Sequence, residues 1–426
     1  MSGRDTRKRA GSRGTPRRAA GDAQLNAARE LLAAVLRFDA PADAVVSRHF
    51  RAHPQLGQRD RHVLAETVYQ VVRHLRLWRE LAQRAPAAPD LALLALGWQG
   101  DVAKLGDELA AWRAQTLAQD LSALPAALRY SLPDWLAQAL AGDGFDALAA
   151  SLLQPAPLDL RVNLLKATRD EALQRLRADG IDAQPTPLSP WGLRVQGKPA
   201  LQRASAFVDG LVEVQDEGSQ LLALLLAPRR GEMVADFCAG AGGKTLALGA
   251  MMRNSGRLYA FDTAAHRLDK LRPRLARSGL SNVYPVVLAH ERDERVRRLA
   301  GKLDRVLVDA PCSGTGTLRR NPDLKWRLQG DEIARLTEQQ GAILRAAAQL
   351  IKPGGRLVYA TCSLLRAENR DVVEAFLAAQ PGWRLLDAGA LLEPQLALPA
   401  PSPMLELRPD RDGTDGFFAA ALQREA

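Results

Sequence analysis

Cysteine, aromatic residues and long apolar runs are all scarce in this chain. Its 426 residues include 3 cysteines, and aromatic residues make up 5%. So few cysteines exclude a disulfide scaffold and fit a reducing, cytoplasmic compartment. No uninterrupted apolar run approaches the roughly 18–20 residues that span a bilayer, so no membrane partner is expected. The most apolar stretch, Leu221–Ala227, is far shorter. The N-terminus has no apolar core of a secretory signal, and no internal repeat recurs along the chain.

What is present points to a soluble multidomain protein. The chain is 47% apolar and 25% charged, which is ordinary for a globular protein. At roughly 100–200 residues per domain the length allows two to four domains. The net charge is +10. Much of it lies in Met1–Arg18, where Arg4, Arg7, Lys8, Arg9, Arg13, Arg17 and Arg18 face a single acid, Asp5. A basic tail on a mildly basic body fits a polyanionic partner, most simply a nucleic acid. A solubilising tail accounts for the same charge.

The pattern of apolar residues divides the chain. Residues 1–20 read as a basic, disordered tail. Residues 21–145 read as an all-α domain, because Leu25, Ala28, Leu31, Leu32, Val35 and Leu36 recur at helical spacing. Val63, Leu64, Val68, Val71, Val72, Leu75 and Trp78 do so again. Residues 146–214 read as a small α/β connector, with a strand at Leu158–Asn163, a helix over Lys166–Ala178 and strand character at Phe207–Val214. From 215 to 426, apolar runs alternate with helices. The candidate strands are Met233–Phe237, Arg257–Phe261, Val283–Leu288, Arg305–Val308, Arg356–Ala360 and Gly416–Ala421. Continuous apolar strands separated by helices predict a doubly wound α/β fold with a parallel sheet.

The first of these strands ends in Asp236-Phe237-Cys238-Ala239-Gly240-Ala241-Gly242-Gly243-Lys244-Thr245. A glycine-rich turn between a strand and a helix lets a ligand approach the backbone at the positive end of the helix. It is not a Walker A loop, because Cys238 stands where the first glycine of that motif belongs. The second strand ends at Asp262, about 20 residues further on, where a carboxylate accepts hydrogen bonds from ribose hydroxyls. Turn and acid together predict a nucleoside cofactor. At this point NAD and S-adenosylmethionine both fit.

Two strands then end in cysteines. One runs into Asp309-Ala310-Pro311-Cys312-Ser313-Gly314-Thr315-Gly316 and the next into Thr361-Cys362-Ser363. Strand ends of a doubly wound sheet open onto the ligand cleft. A single cysteine is mostly a small buried hydrophobe. Two at consecutive strand ends, one beside a carboxylate, suit methyl transfer to carbon 5 of a pyrimidine. A thiolate adding to carbon 6 turns the ring into an enamine whose carbon 5 attacks a sulfonium methyl. An acid at ring N3 meets the charge that builds up during addition. A second thiol assists loss of the carbon-5 proton and release of the product. Hydride transfer has no use for such a pair.

The segments Asp236–Thr245, Asp309–Gly316 and Thr361–Ser363 resemble motifs of the RNA cytosine-C5 methyltransferases. Arg161-Val162-Asn163, Gln215-Asp216-Glu217-Gly218-Ser219-Gln220 and Asp412-Gly413-Thr414-Asp415-Gly416-Phe417-Phe418 are similar to further segments of that family. Residues 21–145, with Arg59-Asp60-Arg61 ahead of an amphipathic helix, resemble a NusB-type RNA-binding module. The whole layout resembles the RsmB (Fmu/Sun) family, which modifies small-subunit ribosomal RNA.

The resemblance implies a Rossmann-like methyltransferase domain. It implies S-adenosyl-L-methionine as cofactor and 16S ribosomal RNA, or an assembly intermediate of the small subunit, as partner. It makes Cys362 the nucleophile, Cys312 the product-release thiol, and Asp309 the N3-side acid and a neighbour of the cofactor. Cys238, Ala239, Gly240, Ala241, Gly242, Gly243 and Lys244 become the cofactor loop, with Asp262 on the ribose.

Two departures stand out. Gly240 and Ala241 replace the family's usual Ala-Pro. His290, followed by Glu291, stands where the family places an Asp on the adenine side, so His290 is assigned to the cofactor, with Glu291 the alternative partner for the adenine amino group.

The segment Arg319–Arg327, with Trp326 among its basic residues, is read as a candidate RNA contact, and equally as a solvated loop with Trp326 tucked into the core. Arg73, Arg76 and Arg79 are read as a patch on one helix, or as an ordinary solvated face. A monomer without a metal site is expected. The same chemistry on transfer RNA, and a non-catalytic NusB-like RNA-binding factor, remain the alternatives.

Overall fold

The structure is a computed structural model that describes residues 18–393 and 403–426. Most of the basic tail therefore lies outside the described residues. By its contacts the chain divides into two compact units, Met1–Ser131 and Leu132–Ala426. No described helix is long and apolar enough to cross a membrane.

The first unit is helical throughout its described residues, with main helices at Arg18–Val35, Ala42–Ala52, Gln58–Arg73, Leu75–Ala82, Pro89–Gly97 and Asp107–Leu117. The periodic apolar residues form its core: Leu31, Leu64, Val68, Val71, Val72 and Leu75 are all buried. At Gly97 an added Cβ would stand 2.5 Å from Val71 Cγ2, so glycine permits a close helix crossing there. The helical run expected around Arg73–Arg79 is broken at His74. Arg73 ends one helix, while Arg76 and Arg79 lie on the next. The second helix is capped from a distance: Ser131 Oγ accepts hydrogen bonds from the backbone N–H of Arg76 (2.8 Å) and Leu77 (3.4 Å). Amides at a helix start have no partner within the helix, and a hydroxyl meets that need.

The second unit begins earlier than the boundary at residue 145 suggested by composition. The helices Asp134–Ala139 and Phe145–Leu152 belong to it. Arg408, far along the chain, donates to the carbonyl of Gly144 (3.1 Å) and ties that helix to the strand-rich part. A four-stranded antiparallel sheet follows, ordered β2-β3-β1-β4, with β1 at Leu158–Val162, β2 at Ala183–Pro185, β3 at Gly192–Val195 and β4 at Val212–Val214. The helix expected after β1 spans Arg169–Ala178 and starts with a capping box of Thr168 and Glu171. The strand expected over Phe207–Val214 is shorter. Asp179 accepts from Ser205 Oγ (2.8 Å) and the Ala206 amide (3.0 Å). These bonds turn Ser205–Val208 into a helical turn, and only Val212–Val214 pairs as a strand.

The larger sheet contains β5 (Met233–Asp236), β6 (Arg257–Asp262), β7 (Val283–Val287), β8 (Leu303–Asp309), β9 (Ile351–Thr361), β10 (Trp383–Leu386), β11 (Leu405–Leu407) and β12 (Phe417–Arg424). Its order is β10-β12-β9-β8-β5-β6-β7, with β11 added to β12. The strands from β9 to β7 are parallel. β12 is antiparallel to β9, and β10 and β11 are antiparallel to β12. The sheet is therefore mixed, where strand composition had suggested a parallel one. Alternate residues feed opposite layers. Leu307, Val358 and Ala360 pack with the helix Glu217–Leu226, whereas Val306, Val308 and Tyr359 pack with Glu332–Ala348 and Arg370–Ala379. Burial on both faces explains why even antiparallel β12 is a continuous apolar run.

The chain leaves β5 toward β6 and β7, then returns to β8 on the other side. The topological switch thus lies between β5 and β8, and the carboxyl ends there open a crevice. Leu307 on β8 is fully buried. Leu307→Ala is expected to lower the stability of this unit by about 3 kcal/mol, read as an earlier urea midpoint with cofactor-cleft residues unchanged.

Candidate active site

The ends of β5, β6, β8 and β9 build the cleft. After β5, Gly240 (φ +57°) and Gly242 (φ +83°) take left-handed backbone conformations that glycine adopts without strain. The Gly240 amide donates to Asp262 Oδ2 at 2.8 Å, so the acid at the end of β6 holds the loop. Asp262 Oδ1 accepts from the Ala264 amide (2.7 Å). Gly242 serves packing: an added Cβ would stand 2.1 Å from Leu271 Cδ1. Two arginines hold the loop's carbonyls, Arg274 on Ala241 (2.6 Å) and Arg161 on Gly243 (2.5 Å). The helix Gly243–Met251 then points its N-terminus at the cleft.

The cleft has a volume of about 740 Å³. Cys238, Ala239, Gly240, Ala241, Gly243, Lys244, Asp262, Asp309, Cys312 and Cys362 all line it. These are the residues assigned from sequence, save two. Gly242 does not line the cleft, and neither does His290. His290 is exposed, and its Nδ1 accepts from the Arg292 amide at 3.1 Å within a surface turn. Its neighbour Glu291 lines the cleft instead. The expectation that His290 lines the cofactor cleft is therefore corrected: a surface turn holds it away, and of the two residues Glu291 is the one at the cleft wall.

The two cysteines meet. Cys312 Sγ and Cys362 Sγ are 3.4 Å apart, although 50 residues separate them in the chain, and both are free. Beside them Lys244 Nζ donates to Asp309 Oδ2 at 2.7 Å. Burial disfavours the Lys244 ammonium, but Asp309, Cys362 and Asp236 more than offset it, and its pKa ends above the usual value. The Cys312 thiol is pushed well above its ordinary range by its hydrogen bond to Cys362, by burial and by the charge of Glu368. Cys238 is pushed up mainly by burial, then by Asp309, Asp236 and Asp262. It therefore stays a neutral thiol in the wall of the cleft.

Asp236, at the end of β5, is pushed up to about 7, chiefly by burial. Its Oδ2 accepts from Thr245 Oγ1 (2.7 Å), while Oδ1 has no partner.

The basic segment expected to grip RNA is turned inward. Arg319 and Lys325 are buried. Arg320 is spent on Asp216 (2.7 Å) and Asp415 (2.5 Å), and Arg327 pairs with Asp323 (3.5 Å). The alternative, a solvated loop with Trp326 in the core, is not met either: Arg319 and Lys325 are buried, Trp326 is half-buried and Leu324–Arg327 forms a helical turn. Arg73 is likewise buried and Arg79 exposed, so those arginines do not form one patch.

Sequence reasoning missed Glu368 and Gln340, both fully buried behind the cysteines. Gln340 Nε2 donates to the carbonyl of Pro311 and to Glu368 Oε1, each at 2.9 Å. Nothing in their spacing marks them, because their partners lie on other elements.

A Rossmann-like sheet with a glycine loop, an acid at the end of the next strand and paired thiols is the layout of a methyltransferase cleft. Comparison with known proteins agrees. Residues 223–423 match the family described as 16S rRNA methyltransferase RsmB/F. Residues 132–202, starting where the second unit starts, match the ferredoxin-like domain of RsmF/B-like methyltransferases. The probable ribosomal RNA small subunit methyltransferase B of Synechocystis is 38% identical over 302 residues, 70% of this chain and 67% of that protein. The probable enzyme of the same name from Bacillus subtilis is 35% identical over 69% of this chain and 67% of that protein. The crystal structure of PH0851 superposes with a TM-score of 0.76 at 26% identity, covering 96% of this chain and 99% of that one. The chain belongs to the RsmB/F family of RNA methyltransferases.

The state of Asp236 makes stability depend on pH. Its folded pKa of about 7 lies above the usual 3.8, so between these values the folded state binds more protons and stability falls as pH rises. Asp236→Asn keeps an acceptor for Thr245 and removes that loss. Denaturation at a series of pH values is expected to show the variant gaining on the parent from pH 4 to pH 8.

Proposed function

We propose that this chain transfers a methyl group from S-adenosylmethionine to carbon 5 of a cytosine in 16S ribosomal RNA. The observation that carries this reading is the contact of Cys312 and Cys362 at 3.4 Å beside the Lys244–Asp309 pair. A hydrolase or a dehydrogenase has no use for two thiols at that spacing in a nucleoside cleft.

The residues present fit the cofactor. Asp262 accepts one backbone N–H on each oxygen, and each oxygen keeps a lone pair for a ribose hydroxyl. Glu291 at the cleft wall offers an acceptor to an adenine amino group. The open turn at Gly240, where an added Cβ would meet nothing within 4 Å, leaves space for a ligand against the backbone. The cofactor supplies an electrophilic methyl when bound.

The protein's own groups do the rest. Cys362 Sγ adds to carbon 6 of the ring and forms a covalent adduct. As negative charge moves to N3, a proton passes to it from Asp309, which takes one in turn from the Lys244 ammonium bonded to it, so that N3 ends neutral beside an Asp309 carboxylate and a Lys244 amine. After methylation the carbon-5 proton passes to water in the cleft, its bonding pair re-forms the C5–C6 double bond, and the C6–S bond breaks with its pair returning to Cys362 as thiolate. The Cys312 thiol, 3.4 Å away, donates a hydrogen bond to the departing sulfur, and the N3 proton returns to Lys244 by way of Asp309. A cytosine stacked in a helix is out of reach, so the target lies in a loop or is flipped out. We further propose that the helical unit is a NusB-like RNA-binding module and that the connector joins it to the catalytic domain.

The two thiols make separable predictions. Cys362→Ser is expected to lower methylation of 16S RNA by roughly 10³-fold or more and to form no adduct. Cys312→Ala is expected to accumulate a protein–RNA adduct that survives denaturing electrophoresis. A fully active Cys362→Ser enzyme would overturn the assignment.

A further inference from the structure

The thiol pair poses a question that its geometry alone leaves open. Either sulfur is placed to donate a hydrogen bond to the other at 3.4 Å, so something must decide which one carries the proton. The group placed to decide is Glu368. It is fully buried and sits in the short turn Arg366–Glu368 that follows the Cys362 loop. Its Oε1 accepts from the Ser313 amide (2.8 Å) and from Gln340 Nε2 (2.9 Å). Its Oε2 accepts from the hydroxyls of Ser313 and Ser363, the latter at 2.5 Å. Ser313 follows Cys312 and Ser363 follows Cys362. One carboxylate is thus bonded to the residue after each thiol, and all its donors are neutral.

We propose that Glu368 is the positioning residue of the thiol pair: it binds the two cysteine loops together and keeps the shared proton on Cys312, leaving Cys362 as the thiolate. This rests on the reading of Cys362 as the nucleophile.

The groups facing Cys312 are Cys362, Glu368 and Tyr359. Tyr359 spends its hydroxyl on the Glu368 carbonyl (2.6 Å). The Cys312 thiol is pushed up by its hydrogen bond to Cys362, by burial and by the charge of Cys362, and the Glu368 carboxylate adds to this, because it disfavours a second negative charge there. Cys362 instead interacts with Lys244, which Asp309 holds as a cation. Glu368 takes two bonds from Ser313 and reaches the Pro311 carbonyl through Gln340, so it grips the chain on both sides of Cys312, whereas it takes a single bond from Ser363. This asymmetry and the ammonium near Cys362 bias the proton the same way. Attack then needs no base: the sulfur electron pair of Cys362 forms the bond to carbon 6, and the charge displaced into the ring is met at N3. The clamp also has a steric side. A buried carboxylate with four donors fixes both serines, and with them the sulfur–sulfur distance.

Charge and clamp are separable by substitution. In Glu368→Gln the amide oxygen still accepts from Ser313 and Gln340, and its NH₂ donates to the two hydroxyls, which turn to accept. Alkylation of each cysteine by iodoacetamide, followed by mass spectrometry across pH, reads the proton directly. In the parent protein Cys362 is expected to react at lower pH than Cys312. In Glu368→Gln the Cys312 midpoint is expected to fall by about one pH unit or more. Its kcat is expected to drop about tenfold, with KM for RNA and S-adenosylhomocysteine affinity unchanged. Glu368→Asp, which restores the charge, is expected to return the midpoint toward the parent value. Cys312 reacting first in the parent, or a Glu368→Gln enzyme with parental midpoint and kcat, overturns the proposal. An active Cys362→Ser enzyme would instead overturn the nucleophile reading, and the alkylation order would still judge Glu368.

Discussion

The site depends on one close backbone approach, where the loop after β8, the turn after β9 and the start of β12 touch. The Gly316 amide donates to the carbonyl of Cys362 (2.9 Å), and the Gly416 amide donates to the carbonyl of Gly316 (2.9 Å). A Cβ added at Gly316 would stand 2.1 Å from the Gly416 oxygen and 2.8 Å from the Cys362 oxygen. Only the smallest residue lets the three backbones come so near. The Thr315 hydroxyl adds a further link by accepting from the Leu364 amide (2.9 Å). The turn before the antiparallel strand β12 is thereby tied to the loop after Cys312 and, through Gly316, to the backbone of Cys362.

Around this seam the electrostatics follow from burial. Asp236, Asp262 and Asp309 all stand at the ends of adjacent strands. Lys244 is the cation bonded to one of them, through Asp309. The interior does not carry unpaired charge cheaply, so Asp236, behind the others, is the one driven toward its neutral form. Asp262 instead takes two backbone amides, one on each oxygen. Arg161, fully buried, is pulled down to about 10 by desolvation and is used as a donor to the loop carbonyl. With Arg274 it steadies a turn whose Gly240 and Ala241 carry no ring to stiffen them.

Much of this was legible in the sequence because it is local. β5, β6, β7, β8, β9 and β12 were each foreshadowed by an apolar run, and burial on both faces is what makes such runs continuous. The glycine turn, Asp262 and the two cysteines were readable because strand ends of this fold converge by rule. The features that were not legible depend on partners far away in the chain. Arg320 looked like a phosphate grip until Asp216 and Asp415 were seen to claim it. The break at His74 and the helical turn at Ser205 follow from caps supplied by Ser131 and Asp179. Short β2, β3 and β11 have too few residues for any periodicity. Glu368 is an acid a few residues past Cys362 with nothing in its spacing to distinguish it from a solvated one, and its role exists only because Ser313 comes to meet it.

Bisulfite sequencing of total RNA from cells with and without this gene tests the central claim most directly, because it reports the reaction and the target base together. The account predicts a cytosine in 16S ribosomal RNA that resists conversion when the gene is present and converts when it is deleted. An unchanged 16S pattern, or a loss of protection confined to transfer RNA, would contradict it.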